Sequence, residues 1–172
     1  MADSGTLTVE RLKELLTYDP ETGKFRWRVN RGRTAKAGDI AGNPAGGNYI
    51  QIKIDGRSLQ AGRLAFLYMT GKYPEHEVDH KNLDRQDDRW ANLREATPQQ
   101  NCRNRSTRRD NLLGVKGVKA CKNKYRAMIQ INGKRKHLGY FATIADAAIA
   151  YATAANNHFG EFARTSGGGD GR

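Results

Sequence analysis

The sequence predicts an α+β chain of small antiparallel sheets and short helices, arranged as two modules. Three observations carry this. Two turn dipeptides, Asp55-Gly56 and Asn132-Gly133, each stand between runs with strand character. Such pairs suit two-residue hairpins, where both central residues take positive φ. Apolar residues recur at helical spacing only in short windows, such as Leu12, Leu15 and Leu16, or Ile144, Ala147, Ala148 and Tyr151. The charge is also segregated: residues 101–140 carry 12 Lys/Arg and one acid, Asp110, against 16 and 14 in residues 1–100.

At 172 residues the chain is one medium domain or two small ones. A hydrophobic share of 37% is low but sufficient for small cores. No apolar run approaches the roughly 18 residues of a membrane span, so no membrane association is expected. The start, MADSGTLTVERL, lacks the basic and apolar regions of a secretory signal. Cys102 and Cys121 form no CxxC pair. A zinc ribbon or disulfide framework is therefore not expected, and the cytoplasm is the natural setting. A formal charge of +12 points to a polyanionic partner. A solvated basic face would carry the same charge, so charge alone leaves both readings open.

Thr8 reads as the N-cap of a helix over 9–17. Asp19-Pro20-Glu21-Thr22-Gly23 reads as a turn, and Phe25, Trp27 and Val29 alternate with Lys24, Arg26 and Arg28 as a half-buried strand. The Gly-, Arg- and Ala-rich stretch 30–48 reads as an exposed loop. Residues 49–54 and 57–60 form a hairpin, and 61–70 a helix with Leu64 and Leu67 inward, closed by Gly71 and Pro74. Strands are expected at 77–80 and 92–96, joined by a polar loop. A helix follows, with Thr97 as N-cap, Pro98 first and Gln100 completing a capping box. Three strands over 114–141 and an Ala-rich helix over 143–159 complete the reading. The expected organisation is an N-terminal helix, strand and basic loop (1–48), a central module (49–105), a basic linker (106–113), a C-terminal sheet domain (114–165) and a disordered tail (166–172).

The Asn132-Gly133 turn sets a register that pairs Ile131 with Lys134, Met128 with His137, Ala127 with Leu138 and Tyr125 with Tyr140. Tyr125, Ala127, Ile129, Ile131, Leu138 and Tyr140 then share the face that the Ala-rich helix can cover. The opposite face shows Arg126, Met128, Gln130, Arg135 and His137, with Lys119 and Cys121 added from the first strand, and no acid. GVKGV, KYRAMI, GKRKHLGYF, TIADAAIAYATAA and FGEFA resemble the plant Apetala/ethylene-response-factor DNA-binding domain, in the form carried C-terminally by phage endonucleases. The resemblance implies a three-stranded sheet in the major groove, backed by one helix. Carried across by position, Lys119, Arg126, Gln130, Arg135 and His137 are the candidate DNA contacts, and Arg105, Arg108 and Arg109, in the basic stretch before the sheet, are separately expected to lie along a groove. Tyr125 and His137 stand where plant members commonly have tryptophan.

In the central module, Asp79 and His80 are adjacent at a strand end, Asn92 starts the next strand and Asn101 lies one turn into the following helix. A carboxylate and an amide oxygen can bind a hard cation, and an imidazole can take a proton from water. A lone histidine in a polar loop is more often simply solvated, and the residues alone leave both readings open. The pattern DH at 79–80, ANLREAT at 91–97 and QQNCRNR at 99–105 resembles an HNH endonuclease of the His-Me finger class. The likeness extends upstream through YIQIKIDG and RLAFLY, as in phage-type homing nucleases. It implies a ββα-metal module preceded by a hairpin and helix, with His80 the general base and Asn92 holding the loop and orienting His80. Asp79 and Asn101 hold one divalent metal, Mg²⁺ first and Mn²⁺ second. Arg94 is either a phosphate contact or an exposed strand arginine. Related sequences often read His-Arg-Leu where this chain has Gly62-Arg63-Leu64, which makes Gly62 the first residue to revert to His should activity be low. The expected function is a metal-dependent endonuclease cutting double-stranded DNA, targeted by the C-terminal domain, in a bacterial host cytoplasm if phage-encoded. The alternative is a non-cleaving DNA-binding regulator on a degenerate nuclease fold. No obligate protein partner is evident.

Overall fold

In the computed structural model, residues 7–104 and 111–163 are described, the side chains of 103 and 104 excepted. Arg105, Arg108, Arg109, the bulk of the expected linker and the expected tail lie outside the described residues. The chain is α+β, with four small antiparallel sheets among the described residues, and divides into two compact units at Thr97/Pro98.

The first unit opens with α1 (Val9–Leu15), whose N-cap Thr8 accepts a hydrogen bond from the Arg11 amide at 3.2 Å. Leu12 and Leu15 face inward. The helix was expected to run through 17, but the chain turns directly into β1 (Leu16–Asp19), which pairs with β2 (Lys24–Trp27). The period-2 burial of Leu16, Tyr18, Phe25 and Trp27 outweighs the local helical pattern. The turn between them is tied by Asp19, whose carboxylate accepts from the Glu21 amide at 3.0 Å and the Thr22 hydroxyl at 2.7 Å.

These bonds hold the Asp19 carboxyl below the usual carboxylate range, the Thr22 hydroxyl contributing most. An ionised Asp19 therefore favours the fold above its unfolded-state pKa of about 4. That gain is lost as pH falls through the lower folded value. Asp19→Asn is expected to flatten the fall of the thermal midpoint below about pH 4, read by calorimetry across an acid series. An unchanged slope would mean the turn does not depend on this charge.

The stretch 30–48, expected as loop, contains two short strands. β3 (Ile40–Ala41) pairs with β2, and β4 (Asn43–Ala45) pairs with β5 (Tyr49–Ile54). β5 and β6 (Arg57–Gln60) form the expected hairpin, with Asp55 at φ 46° and Gly56 at φ 83°. α2 (Ala61–Thr70) follows and buries Ala61, Gly62, Leu64, Ala65 and Leu67. Leu12, Leu16, Phe25, Ile52, Ile54 and Leu64 belong to one cluster, so a single core draws on residues from both sides of the Gly-rich stretch. β7 (Glu77–His80) and β8 (Leu93–Ala96) form the last hairpin of the unit, pairing His80 with Leu93 and Asp79 with Arg94.

The second unit begins with α3 (Pro98–Asn104). Its sheet has the order β11-β10-β9, from β9 (Val118–Cys121), β10 (Lys124–Ile131) and β11 (Lys134–Phe141). Asn132 and Gly133 take φ of 48° and 78°, as the hairpin turn requires. The register follows expectation from Ile131↔Lys134 to Met128↔His137 and then shifts. Ala127 meets Gly139, Arg126 meets Tyr140 and Tyr125 meets Phe141. The bulge at Leu138 inserts one residue, and one residue exchanges the faces beyond it. Tyr140, expected inward, is 54% exposed, and Phe141 packs on the core in its place. α4 (Ile144–Phe159) covers the inner face, burying Ala147, Tyr151 and Ala155 against Val118, Ala127 and Ile129. Small alanines at this seam allow close approach of helix to sheet. Thr143 caps α4 by accepting from the Asp146 amide at 3.1 Å.

Candidate active site

The β7 end places Asp79 and His80 side by side, with 4% and 5% exposure. Alternation along a strand sends adjacent side chains to opposite faces, and the two find different partners. Asp79 Oδ2 accepts from Arg94 Nε at 2.9 Å and Nη2 at 2.8 Å, across the β7–β8 pair. Arg94 is therefore not an exposed strand arginine: its side chain is 10% exposed and clamps Asp79. His80 Nε2 lies 2.9 Å from Asp88 Oδ1, and the Tyr49 ring is 5.8 Å from the imidazole.

The loop 81–91 that carries Asp88 is tied at both ends. Asn92, at the end of a single tight turn (Trp90–Asn92), donates to the Asp87 carbonyl at 2.7 Å and accepts from the Asn82 amide at 3.1 Å. Its own carbonyl accepts from the Lys81 amide at 2.9 Å. Asp87 is chelated by Arg89 at 2.7 and 2.6 Å and accepts from Asn82 at 2.7 Å. These contacts, led by Arg89, hold its carboxyl below the usual range. The N-terminal hairpin supports the loop from behind. Tyr18 Oη donates to the Asp88 carbonyl at 2.7 Å, and the Trp90 amide donates to the Pro20 carbonyl at 3.0 Å. Gly23, at φ 70°, packs so closely that a Cβ there would stand 2.4 Å from the Arg89 nitrogen.

Asp88 is the residue that sequence reasoning missed. It sits in the acidic, polar run DRQDDRW, which looks like solvated loop, yet it is 2% exposed. The only local hint was Trp90, whose ring packs 4.9 Å from Phe66 and draws the loop end inward. Burial pushes the Asp88 carboxyl above the usual range, and the hydrogen bond with His80 pulls it back. A second contact concerns Gly62. A Cβ on this residue would stand 3.0 Å from Asp88 Oδ1 and 3.4 Å from Val78 Cγ1. A side chain at 62 would therefore press on the Asp88 carboxyl, which must give by a few tenths of an ångström to admit it.

Among the described residues no three His, Cys, Asp or Glu side chains form a metal cage. Asp79 offers a hard carboxylate oxygen, of the kind that suits a hard divalent ion keeping most of its waters, and Asn101 lies on α3 of the second unit.

In the second unit, β-pairing sets Arg126 beside Lys119 and Tyr140, Met128 beside His137, and Gln130 beside Arg135. This face carries no acid, and Lys119, Gln130, Arg135 and His137 are exposed. The His137 and Tyr140 rings lie 4.8 Å apart on it, and Arg126 Nε is buried without a hydrogen-bond partner among the described residues. No described helix is long and apolar enough to cross a membrane.

Residues 60–103 match the family model described as HNH endonuclease. The chain is 36% identical over 146 residues to an uncharacterized HNH endonuclease, L560, of Acanthamoeba polyphaga mimivirus, covering 84% of this chain and 68% of that protein. A solved structure of the HNH homing endonuclease I-HmuI, titled for its DNA binding and cleavage, matches with a TM-score of 0.40 at 16% identity, over 84% of this chain and 85% of that one. HNH nucleases generally use a divalent metal. The extent of the mimivirus match and the DH, Asn92 and Asn101 positions inside the matched segment place this chain in the HNH endonuclease family.

Proposed function

We propose that the chain is a metal-dependent endonuclease that hydrolyses phosphodiester bonds of double-stranded DNA and is targeted by its C-terminal sheet, as homing-type enzymes are. The observation that carries the chemistry is the buried His80 imidazole held 2.9 Å from the Asp88 carboxyl at the end of β7, next to Asp79. With Asp88 ionised, Nε2–H is the donor, and Nδ1 becomes the nitrogen that can accept a proton. His80 takes the proton of the attacking water through Nδ1. Asp79, its orientation fixed by Arg94, and Asn101 hold the ion, Mg²⁺ or Mn²⁺, in keeping with the motif. When bound, the ion supplies charge neutralisation at the phosphate and the leaving 3′ oxygen. Asn92 keeps the loop closed, so that Asp88 and His80 stay in register. Products carry 5′ phosphate and 3′ hydroxyl. An equimolar enzyme is expected to nick supercoiled plasmid with Mg²⁺ and to stop with EDTA. Binding without cutting under any divalent ion would favour a DNA-binding regulator instead.

The C-terminal unit resembles an Apetala/ethylene-response-factor domain, and its acid-free face supports duplex binding. Arg126, Gln130 and Arg135 are of the types that make bidentate base contacts, and Lys119 of the type that holds phosphate. Arg105, Arg108 and Arg109 are proposed to follow the backbone. Arg126→Ala is expected to weaken binding to a preferred site by about 5- to 150-fold (roughly 1–3 kcal/mol). Lys119→Ala is expected to weaken all duplexes alike and to lower the salt slope by about one. Titrations at several salt concentrations distinguish these. Equal losses on every sequence for Arg126→Ala would remove it from base reading.

A further inference from the structure

We propose that Asp88 is a positioning residue for His80, and that the missing side chain at Gly62 is what leaves room for it. This rests on the reading of His80 as the base. The Asp88 carboxyl is 2.9 Å from Nε2, with the two side chains 3% and 5% exposed. At that distance, out of water, the pair fixes both the ring plane and the tautomer. The carboxylate accepts Nε2–H, and Nδ1 keeps the lone pair.

The placement of Asp88 is over-determined. Tyr18 holds its carbonyl at 2.7 Å, and the Gly23 backbone leaves no space behind it. On the side of α2, an ideal Cβ at residue 62 would lie 3.0 Å from Oδ1, tighter than ordinary contact. Glycine is a poorer helix former than alanine, so the helix gains nothing from it locally. The gain is space for the carboxyl. A buried carboxylate is costly by itself, and the imidazole N–H is the bond that offsets it.

The test uses the full chain, with single-turnover nicking rates and duplex affinity measured separately. Asp88→Asn keeps the shape and removes the charge. It is expected to slow cleavage about 10- to 100-fold, to leave affinity unchanged, and to leave the thermal midpoint unchanged or higher. In a His80→Ala background the same substitution should change the rate no further, because Asp88 acts only through His80. Gly62→Ala, which presses on Oδ1, should slow cleavage in the same direction. Asp88→Asn cutting at the wild-type rate overturns the proposal, as does an undiminished effect in the His80→Ala background. If Asp88→Asn does not fold, the ring nitrogen signals of wild-type His80 in a histidine-labelled NMR sample decide. Protonation at Nε2 upholds the assignment and protonation at Nδ1 overturns it. Failure of the underlying reading looks different: His80→Ala itself would then cut normally.

Discussion

His80→Ala is expected to slow plasmid nicking by roughly 10²- to 10⁴-fold, the range removed with a positioned base. Duplex affinity should hold, because the contacts proposed for binding lie on the other unit. The substitution also has a structural consequence. It leaves the Asp88 carboxyl buried at 2% exposure without the imidazole N–H. Burial already pushes that carboxyl up, and His80 is the group that pulls it down. Without His80 the carboxyl takes up a proton at higher pH than before, and the fold loses stability as pH rises from the unfolded-state pKa of about 4 up to that raised folded value. Adding Asp88→Asn should therefore return the thermal midpoint of His80→Ala toward wild type at neutral pH while cleavage stays lost. The measurements are nicking rate with Mg²⁺, duplex affinity and thermal midpoint on the same samples. A His80→Ala protein that folds, binds and nicks at the wild-type rate would remove His80 from the chemistry.

Much of the framework was legible because it is written locally. Asp55-Gly56 and Asn132-Gly133 announce their hairpins through backbone conformations that few other pairs adopt, and the structure has both turns at positive φ. Helices α1, α2 and α4 carry their own caps and apolar spacing. What was not legible depends on partners distant in sequence. β1 begins at the second residue of the doublet Leu15-Leu16, which continues a helical pattern, and only pairing with β2 makes it a strand. β3 and β4 lack side-chain alternation and exist through β2 and β5. The bulge at Leu138 leaves no mark that separates it from regular alternation, yet it moves Tyr140 outward and Phe141 inward. The site divides in the same way. Asp79, His80 and Asn92 stand out through adjacency and motif. Asp88 becomes visible only when Tyr18, Gly23 and Gly62, from three separate elements, close around it.

Gly117→Ala is expected to unfold most of the C-terminal unit. Gly117 sits at φ 73°, where an L side chain is strained, and a Cβ would stand 2.2 Å from Tyr151 Cδ2 and 2.6 Å from the Met128 carbonyl oxygen. Neither neighbour can yield cheaply. Tyr151 is 6% exposed and packs with Ile129 and Ala155. The Met128 amide is hydrogen-bonded to the Gly117 carbonyl at 2.8 Å, so moving the backbone apart breaks the tie that starts the sheet. Strain at positive φ costs about 1–3 kcal/mol and overpacking a further 1–3 kcal/mol. The unit has small cores built around Val118, Ala127, Ala147, Ile129, Tyr151 and Ala155, and small domains hold little reserve. Both tryptophans, Trp27 and Trp90, lie in the first unit, so their fluorescence reports on that unit alone. The expected result is loss of helical circular dichroism from α4, near-normal tryptophan unfolding by urea, and loss of salt-sensitive duplex affinity. Nicking should fall as well, because Asn101, proposed to help hold the ion, is carried by α3 of the same unit. A tryptophan transition that falls together with the helical signal would show that the units do not fold separately. Wild-type affinity in a variant whose helical signal is lost would take DNA binding away from the sheet and give it to the first unit.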